Sequence, residues 1–251
     1  MDEFELLVDL HKGAHRQGPG GNAETEQAIR IAGLNADKPL TVADIGCGTG
    51  ASTLVLARLL NANITAVDFL QDFLDVLAAR AQSEGVADKI TPLCAAMEQL
   101  QFDNEMFDVI WSEGAIYNTG FRRGVVDWKR YLKPGGVLIA SEITWLTGDR
   151  PSELQEHWHN QYSEIDTASA KIEILEESGY TPIGYFVLPG HCWLDNYYEP
   201  MRRRFDAFLS RNGNSAEARA IVEAERHEIA LYEKYKAYFS YGVYIARKSN
   251  A

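Results

Sequence analysis

The sequence has little cysteine, no long apolar run and no excess of positive charge, and each shortage removes a class of protein. Its 3 cysteines among 251 residues, Cys47, Cys94 and Cys192, are odd in number and widely spaced. They cannot form a disulfide scaffold, and the absence of a Cys-x-x-Cys pair argues against zinc or dithiol chemistry, so reduced, buried thiols are expected. No apolar stretch approaches the ~20 residues needed to span a bilayer. The opening MDEFELLVDL is acidic and amphipathic rather than basic and then apolar, which predicts a cytoplasmic chain without membrane insertion. Basic residues total 24 against 36 acidic ones, for a formal net charge of -12. The acidic excess holds on both sides of residue 150, and the only basic cluster is Arg202, Arg203 and Arg204. A protein that grips a nucleic-acid backbone usually shows a basic face. Nucleic acid is therefore disfavoured as a partner, and small molecules come first.

What is present is globular composition, 46% hydrophobic with 20 Gly and 8 Pro, and an alternating pattern over the first 145 residues. Short apolar runs at 41–45, 64–67, 90–94, 107–111 and 136–141 predict five strands. Helical stretches at 51–60, 70–84 and about 122–132 separate them, as in parallel strands joined by crossover helices. Gly85 can close the second of these helices and Pro134 stops the third. Ahead of the first strand, Phe4, Leu7, Val8 and Leu10 suit a short amphipathic helix, broken by Gly18 to Gly21 before a second helix over 24–34. Beyond residue 150, helices are expected from Pro151 to about Ile165 and over 167–178. A sixth strand is expected at 185–188 and a last at 238–246, with about 45 mostly helical residues between them. This reads as a single domain over 1–251: N-terminal helices and a lid loop at 1–35, a core at 41–145, and a helical cap at 151–251 interleaved with the last two strands.

The loop Asp44-Ile45-Gly46-Cys47-Gly48-Thr49-Gly50 follows a strand and opens a helix. Glycine there lets backbone approach a ligand without a Cβ clash, and the helix start offers unpaired N–H groups. Asp68 ends the next strand, where a carboxylate can accept both hydroxyls of an adenosine ribose. A tight turn without a ligand is the competing reading of the loop, and a solvated strand end that of Asp68. The spacing is G-x-G-x-G rather than the G-x-G-x-x-G of dinucleotide-binding enzymes, which disfavours a nicotinamide oxidoreductase.

Together with FDVIWSEG at 107–114 and LKPGG at 132–136, these strings resemble the class I S-adenosylmethionine-dependent methyltransferases, in the ubiquinone/menaquinone C-methyltransferase-like branch. Longer strings, RQGPGG at 16–21, FDVIWSEGAIYNTGF and YEKYKAYFSYGVYIARK, resemble uncharacterised bacterial small-molecule methyltransferases. The diagnostic motifs cover about residues 41–143. The resemblance implies an α/β Rossmann-like fold with a seven-stranded sheet in the order 3-2-1-4-5-7-6, the last strand antiparallel, helices on both faces, and a helical insertion between strands six and seven. It implies S-adenosylmethionine as cofactor and S-adenosylhomocysteine as product. Gly46, Cys47 and Gly48, with Gly50, would contact the methionyl part by backbone, and Asp44 would sit near its ammonium. Asp68 would bind the ribose, Phe69 would pack on adenine, and Ser112 would line the methionyl side. Apart from the resemblance, Gln17 to Gly21 reads either as a lid closing over the cofactor, its glycines giving hinge freedom, or as a plain interhelical turn. The family often places an Asp after strand three for the adenine amino group. Here that stretch is Cys94-Ala95-Ala96-Met97-Glu98, so the backbone of Ala96 and Met97, or Glu98, must serve.

A sulfonium is already a good leaving group, so neither a nucleophile nor a metal is obligatory. Glu113 and Tyr117, after strand four, are the candidate catalytic residues, with cofactor or backbone bonding as their other reading. Glu142 and Trp145 are expected to follow strand five onto the same crevice. His11 and His15 lack a third ligand and read as a helix face, and His191-Cys192-Trp193 reads as an aromatic plug under the helical insertion, or else as the border of an acceptor pocket. The expected function is methyl transfer to a small-molecule acceptor by in-line displacement; the alternative is a non-catalytic binder of the same cofactor, acting as a sensor or partner subunit. A homodimer is compatible with either.

Overall fold

A computed structural model describes residues 2–249. The chain opens with two helices, α1 (Glu3–His11) and α2 (Asn22–Ala32), and then alternates β1 (Leu40–Ile45), α3 (Ala51–Leu59), β2 (Ala62–Asp68), α4 (Gln71–Glu84), β3 (Ile90–Cys94), β4 (Phe107–Ser112), α5 (Phe121–Trp128) and β5 (Leu132–Trp145). There follow α6 (Ser152–Gln161), the two-residue β6 (Asp166–Thr167), α7 (Ala168–Glu177) and β7 (Tyr180–Val187). The last stretch contains α8 (Gly190–Trp193), running through a π turn into α9 (Glu199–Arg202), then α10 (Phe205–Arg211), the 20-residue α11 (Ala216–Tyr235) and β8 (Phe239–Lys248).

The strands form one sheet in the order β3-β2-β1-β4-β5-β8-β7, with β6 attached to β5 as an eighth strand. Strands β1 to β5 run parallel, and β8 is antiparallel to both β5 and β7. The seven-strand path expected from the sequence is present, its sixth and seventh members being β7 and β8. Alternation along each strand feeds a separate core on each face. Val42 and Val109 enter the core that includes α2, α3 and α11, while Ala43 and Ile110 enter the one that includes α5 and α7.

Four details depart from the expectation. Strand β5 is much longer than 136–141: LKPGG lies inside it, beside a register shift at Phe107/Val109, so Glu142 and Trp145 are strand residues. Cys94 is exposed, while Cys47 and Cys192 are buried. In α1 the buried face is Leu6 and Leu10, and Phe4 points outward. Helix α1 ends at His11, so His15 does not share its face. No helix among the described residues is long and apolar enough to cross a membrane. The sheet winds outward from β1 to β3 and then from β4 in the other direction, which opens a crevice at the carboxyl ends of β1 and β4.

Candidate active site

Between β1 and α3 the chain turns through Gly46, Gly48 and Gly50, all at positive φ. Sterics add to this at Gly46, where a Cβ would lie 2.3 Å from the backbone-fixed Cβ of Ala115; one on Gly50 would push against Cδ1 of Leu77 at 2.1 Å. The loop is pinned from beneath, since the Gly46 and Cys47 amides donate to the Val67 carbonyl at 2.8 and 2.9 Å. Asp68 accepts from the Gly48 amide (2.9 Å) and the Leu70 amide (3.0 Å). Burial raises its carboxyl above the ordinary range, against those bonds.

Above this loop lies a cleft of about 640 Å³, within the range of small-molecule sites. Of the residues singled out in the sequence, Gln17, Gly46, Cys47, Gly48, Asp68, Phe69, Ala96, Met97, Glu113 and Tyr117 line it. Asp44, Gly50 and Ser112 do not; they support it from below. Asp44 accepts hydroxyl hydrogens from Ser52 (3.0 Å) and Thr53 (2.6 Å), Ser112 donates to the Ile45 carbonyl (2.9 Å), and Gly50 caps α3. Phe69 and Phe4 are both exposed on the cleft with ring centroids 6.0 Å apart, an apolar seat for a flat ring. The carbonyls of Ala96 and Met97 already accept bonds from the Gln99 amide (3.0 Å) and Trp128 Nε1 (3.4 Å). Glu98 also lines the cleft.

Burial pushes the Asp44 carboxyl up to about 7; the Thr53 and Ser52 hydroxyls oppose this, while the charges of Glu113 and Asp68 add to it. Its folded-state value is thus above the ordinary 3.8. The contribution to stability is fully present below the unfolded value and is lost as pH rises through the folded one. Ligand-free Asp44→Asn, which cannot ionise, is therefore expected to gain melting temperature on the wild type between pH 4 and 8. Scanning calorimetry across that range checks this, and a gap that is flat or moves the other way contradicts it.

The sequence did not reveal how the N-terminal segment is fastened over the loop. Arg16 donates to Glu113 Oε2 (2.8 Å) and to Asn22. Glu113 Oε1 also accepts from the Thr25 hydroxyl (2.7 Å) and Trp111 Nε1 (3.0 Å). Gln17 Oε1 accepts from the Thr49 amide (2.9 Å), and Arg80 donates to the carbonyls of Ala14 (2.7 Å) and Thr49 (3.1 Å). Glu113, just past β4, is therefore a joint to α2 and to the loop between α1 and α2 as well as a cleft residue.

A second cavity, of about 440 Å³, shares Gln17, Gly18, Pro19, Gly114, Tyr117 and Tyr197 with the first. Its other walls come from β5, α6, α8, α11 and β8. Glu142 does not line it. That carboxylate is wholly buried, pushed up to about 7 by burial against the charge of Lys171, whose Nζ lies 3.3 Å away. Trp193 stacks on Tyr232 with centroids 4.4 Å apart, the expected plug, and also faces the cavity.

A glycine cradle between a parallel strand and a helix, an acid ending the next strand, and a second cavity at the same switch point define a Rossmann-like α/β protein built around a nucleoside-type site. Residues 42–136 match the family model described as a methyltransferase domain. The sequence is 32% identical over 144 residues to an uncharacterised methyltransferase of Bacillus subtilis, covering 57% of this chain and 58% of that one. An S-adenosylmethionine-dependent methyltransferase of Geobacter sulfurreducens, solved with S-adenosyl-L-homocysteine, superposes with a TM-score of 0.83 at 18% identity, over 96% of this chain and 97% of that one. The cyclase SpnF superposes at 0.77 with 20% identity, over 99% of this chain and 93% of that one. Residues 42–136 thus match a methyltransferase domain, and the chain as a whole has the fold of S-adenosylmethionine-dependent methyltransferases. Because the last two likenesses are of fold, and one of those proteins is described as a cyclase, the reaction must be argued from the site.

Proposed function

We propose that this protein transfers the methyl group of S-adenosylmethionine to a small-molecule acceptor by in-line displacement. The observation that carries this reading is the shared wall: a ligand in the cleft and one in the second cavity would meet beside Tyr117. The residues present fit the cofactor. Gly46, Cys47 and Gly48 line the cleft and would lie against its methionyl part, the two glycines leaving room for close approach; Asp68 would hold the ribose, and Phe69 with Phe4 the adenine. Ala96 and Met97 would form the adenine wall, and Glu98 would accept from the amino group.

Bound there, the cofactor supplies an electrophilic methyl on a positively charged sulfur. The chain's task is to orient the acceptor and exclude water, a large part of the barrier in such transfers. The Gln17 to Pro19 segment closes the site over both ligands. Tyr117 orients the acceptor, and Glu113, already accepting three hydrogen bonds, positions the segment carrying Tyr117. Asp44, Gly50 and Ser112 hold the loop in shape.

Calorimetric titration with S-adenosylhomocysteine tests the cofactor, and transfer of labelled methyl to a small-metabolite pool tests the reaction. Tight binding without transfer to any metabolite would favour the non-catalytic alternative. Tyr117→Phe is expected to keep cofactor affinity within about twofold and to lower turnover roughly tenfold, the worth of about one hydrogen bond. A Tyr117→Phe protein that loses cofactor binding contradicts the role assigned to it.

A further inference from the structure

Taking the methyl-transfer reading as its basis, we propose that the acceptor is a small amine, held as its ammonium in the second cavity and methylated on nitrogen. The cavity wall is aromatic and acidic, with no Lys or Arg side chain lining it. Tyr117, Trp158, Tyr162, Trp193, Tyr197 and Tyr241 supply the rings, and Glu225 and Glu228 of α11 supply the carboxylates. The nearby Lys171 is committed to Glu142 and to the Glu164 carbonyl, at 3.3 and 2.7 Å.

Ring faces attract a cation by about 2 kcal/mol when water is excluded, and such cages are a recurrent way to hold ammonium groups. A carboxylate or phosphate acceptor would instead meet two like charges. An alcohol or phenol would have to ionise beside them.

The placement of the acids also points to a ligand. Ile221, Glu225, Glu228 and Tyr232 form one stripe of α11, at spacings of 4, 3 and 4 residues. Ile221 and Tyr232 are buried, so the two carboxylates interrupt a face that packs inward. Glu225 Oε1 faces His11 Nε2 at 3.3 Å, but its Oε2 is buried with no partner among the described residues. Glu228 Oε1 accepts from the Tyr198 hydroxyl at 2.9 Å. Tyr241 is only 9% exposed, and its hydroxyl makes no hydrogen bond among the described residues although the ring lines the cavity. His157 and His227 face one another with centroids 6.2 Å apart, and burial lowers the His157 imidazole, so it adds no cation near neutrality. Burial also raises the Glu228 carboxyl, with the Glu225 charge adding to it, which suits a proton acceptor.

The balance of the step follows. The ammonium gives a proton to Glu228, and the freed lone pair forms the N–CH₃ bond as the S–CH₃ bond breaks. Sulfur keeps that bond's electron pair as a neutral thioether, the product nitrogen carries the positive charge, and Glu228 returns its proton to water.

The test uses the full chain loaded with S-adenosylhomocysteine and titrated calorimetrically with choline and with its uncharged carbon isostere, dimethylbutanol. Choline is expected to bind at least tenfold more tightly. Glu228→Gln should abolish that preference and Tyr241→Phe or Trp158→Leu should reduce it, while all three variants retain S-adenosylhomocysteine binding as evidence of folding. In parallel, labelled S-adenosylmethionine is offered with ethylamine, propionate or phenol, and label is expected on ethylamine. Equal affinity for choline and its isostere, or label on propionate or phenol instead, overturns the amine assignment and leaves the methyltransferase reading standing. Failure of the wild type to bind S-adenosylhomocysteine overturns both.

Discussion

Replacing Asp68 with alanine is expected to weaken S-adenosylmethionine and S-adenosylhomocysteine binding by about 100-fold. A carboxylate offers about four lone-pair sites. The Gly48 and Leu70 amides occupy two of them, which leaves two for a pair of adjacent ribose hydroxyls. Hydrogen bonds to a charged group contribute ~1.5–3 kcal/mol each, and water in the truncated site recovers part of that, so roughly 3 kcal/mol, or about 100-fold, should be lost. Calorimetry on the folded variant is the measurement. An affinity within threefold of the wild type would mean that Asp68 only shapes the loop and that the ribose lies elsewhere.

Arg16→Ala should produce the largest loss of stability. The Arg16–Glu113 pair is 2.8 Å apart, with side chains 7% and 15% exposed. Removing the cation leaves Glu113 with two neutral donors in a site largely shut off from water. Breaking a buried pair costs ~3–5 kcal/mol, and the open cleft beside Glu113 places this case near about 3 kcal/mol. For a chain of this size that corresponds to a fall of about 6–12 °C in Tm. Arg16→Lys should lie between, because it keeps the charge and loses the fork that also reaches Asn22. A Tm within 2 °C of the wild type for Arg16→Ala, followed by thermal scanning at about neutral pH, would remove the joint from the account.

How much was legible in the sequence depended on the range of the interactions involved. The glycine cradle could be read because its cause is local: positive φ at Gly46, Gly48 and Gly50 between a strand and a helix. Asp68 was legible for a related reason, since a strand end in a parallel sheet fixes where the next carboxylate points. The length of β5 was not, because Pro134 and two glycines read as a turn, whereas β4 pairs with Leu132 and again from Val137, bridging them, and β8 pairs from Val137 as far as Trp145. Arg16, Thr25 and Arg80 were missed because their partners lie 97, 88 and 66 residues away in sequence. Glu225 and Glu228 did leave a signal, two acids inside the buried stripe of α11, but a helix so rich in charge looks solvated until its partners are known.

The segment from Gln17 to Pro19 borders both cavities. Whatever ordering a ligand imposes on it from one side is already in place for a ligand arriving on the other. Under the proposed function, occupancy of the two sites would therefore be coupled, and the coupling would be reciprocal: each ligand would change the affinity of the other by the same factor. On the same reading the strap would have to loosen before product left, giving up the Gln17–Thr49 bonds. Turnover would then be governed by the release of a short hinge as well as by the proposed methyl transfer.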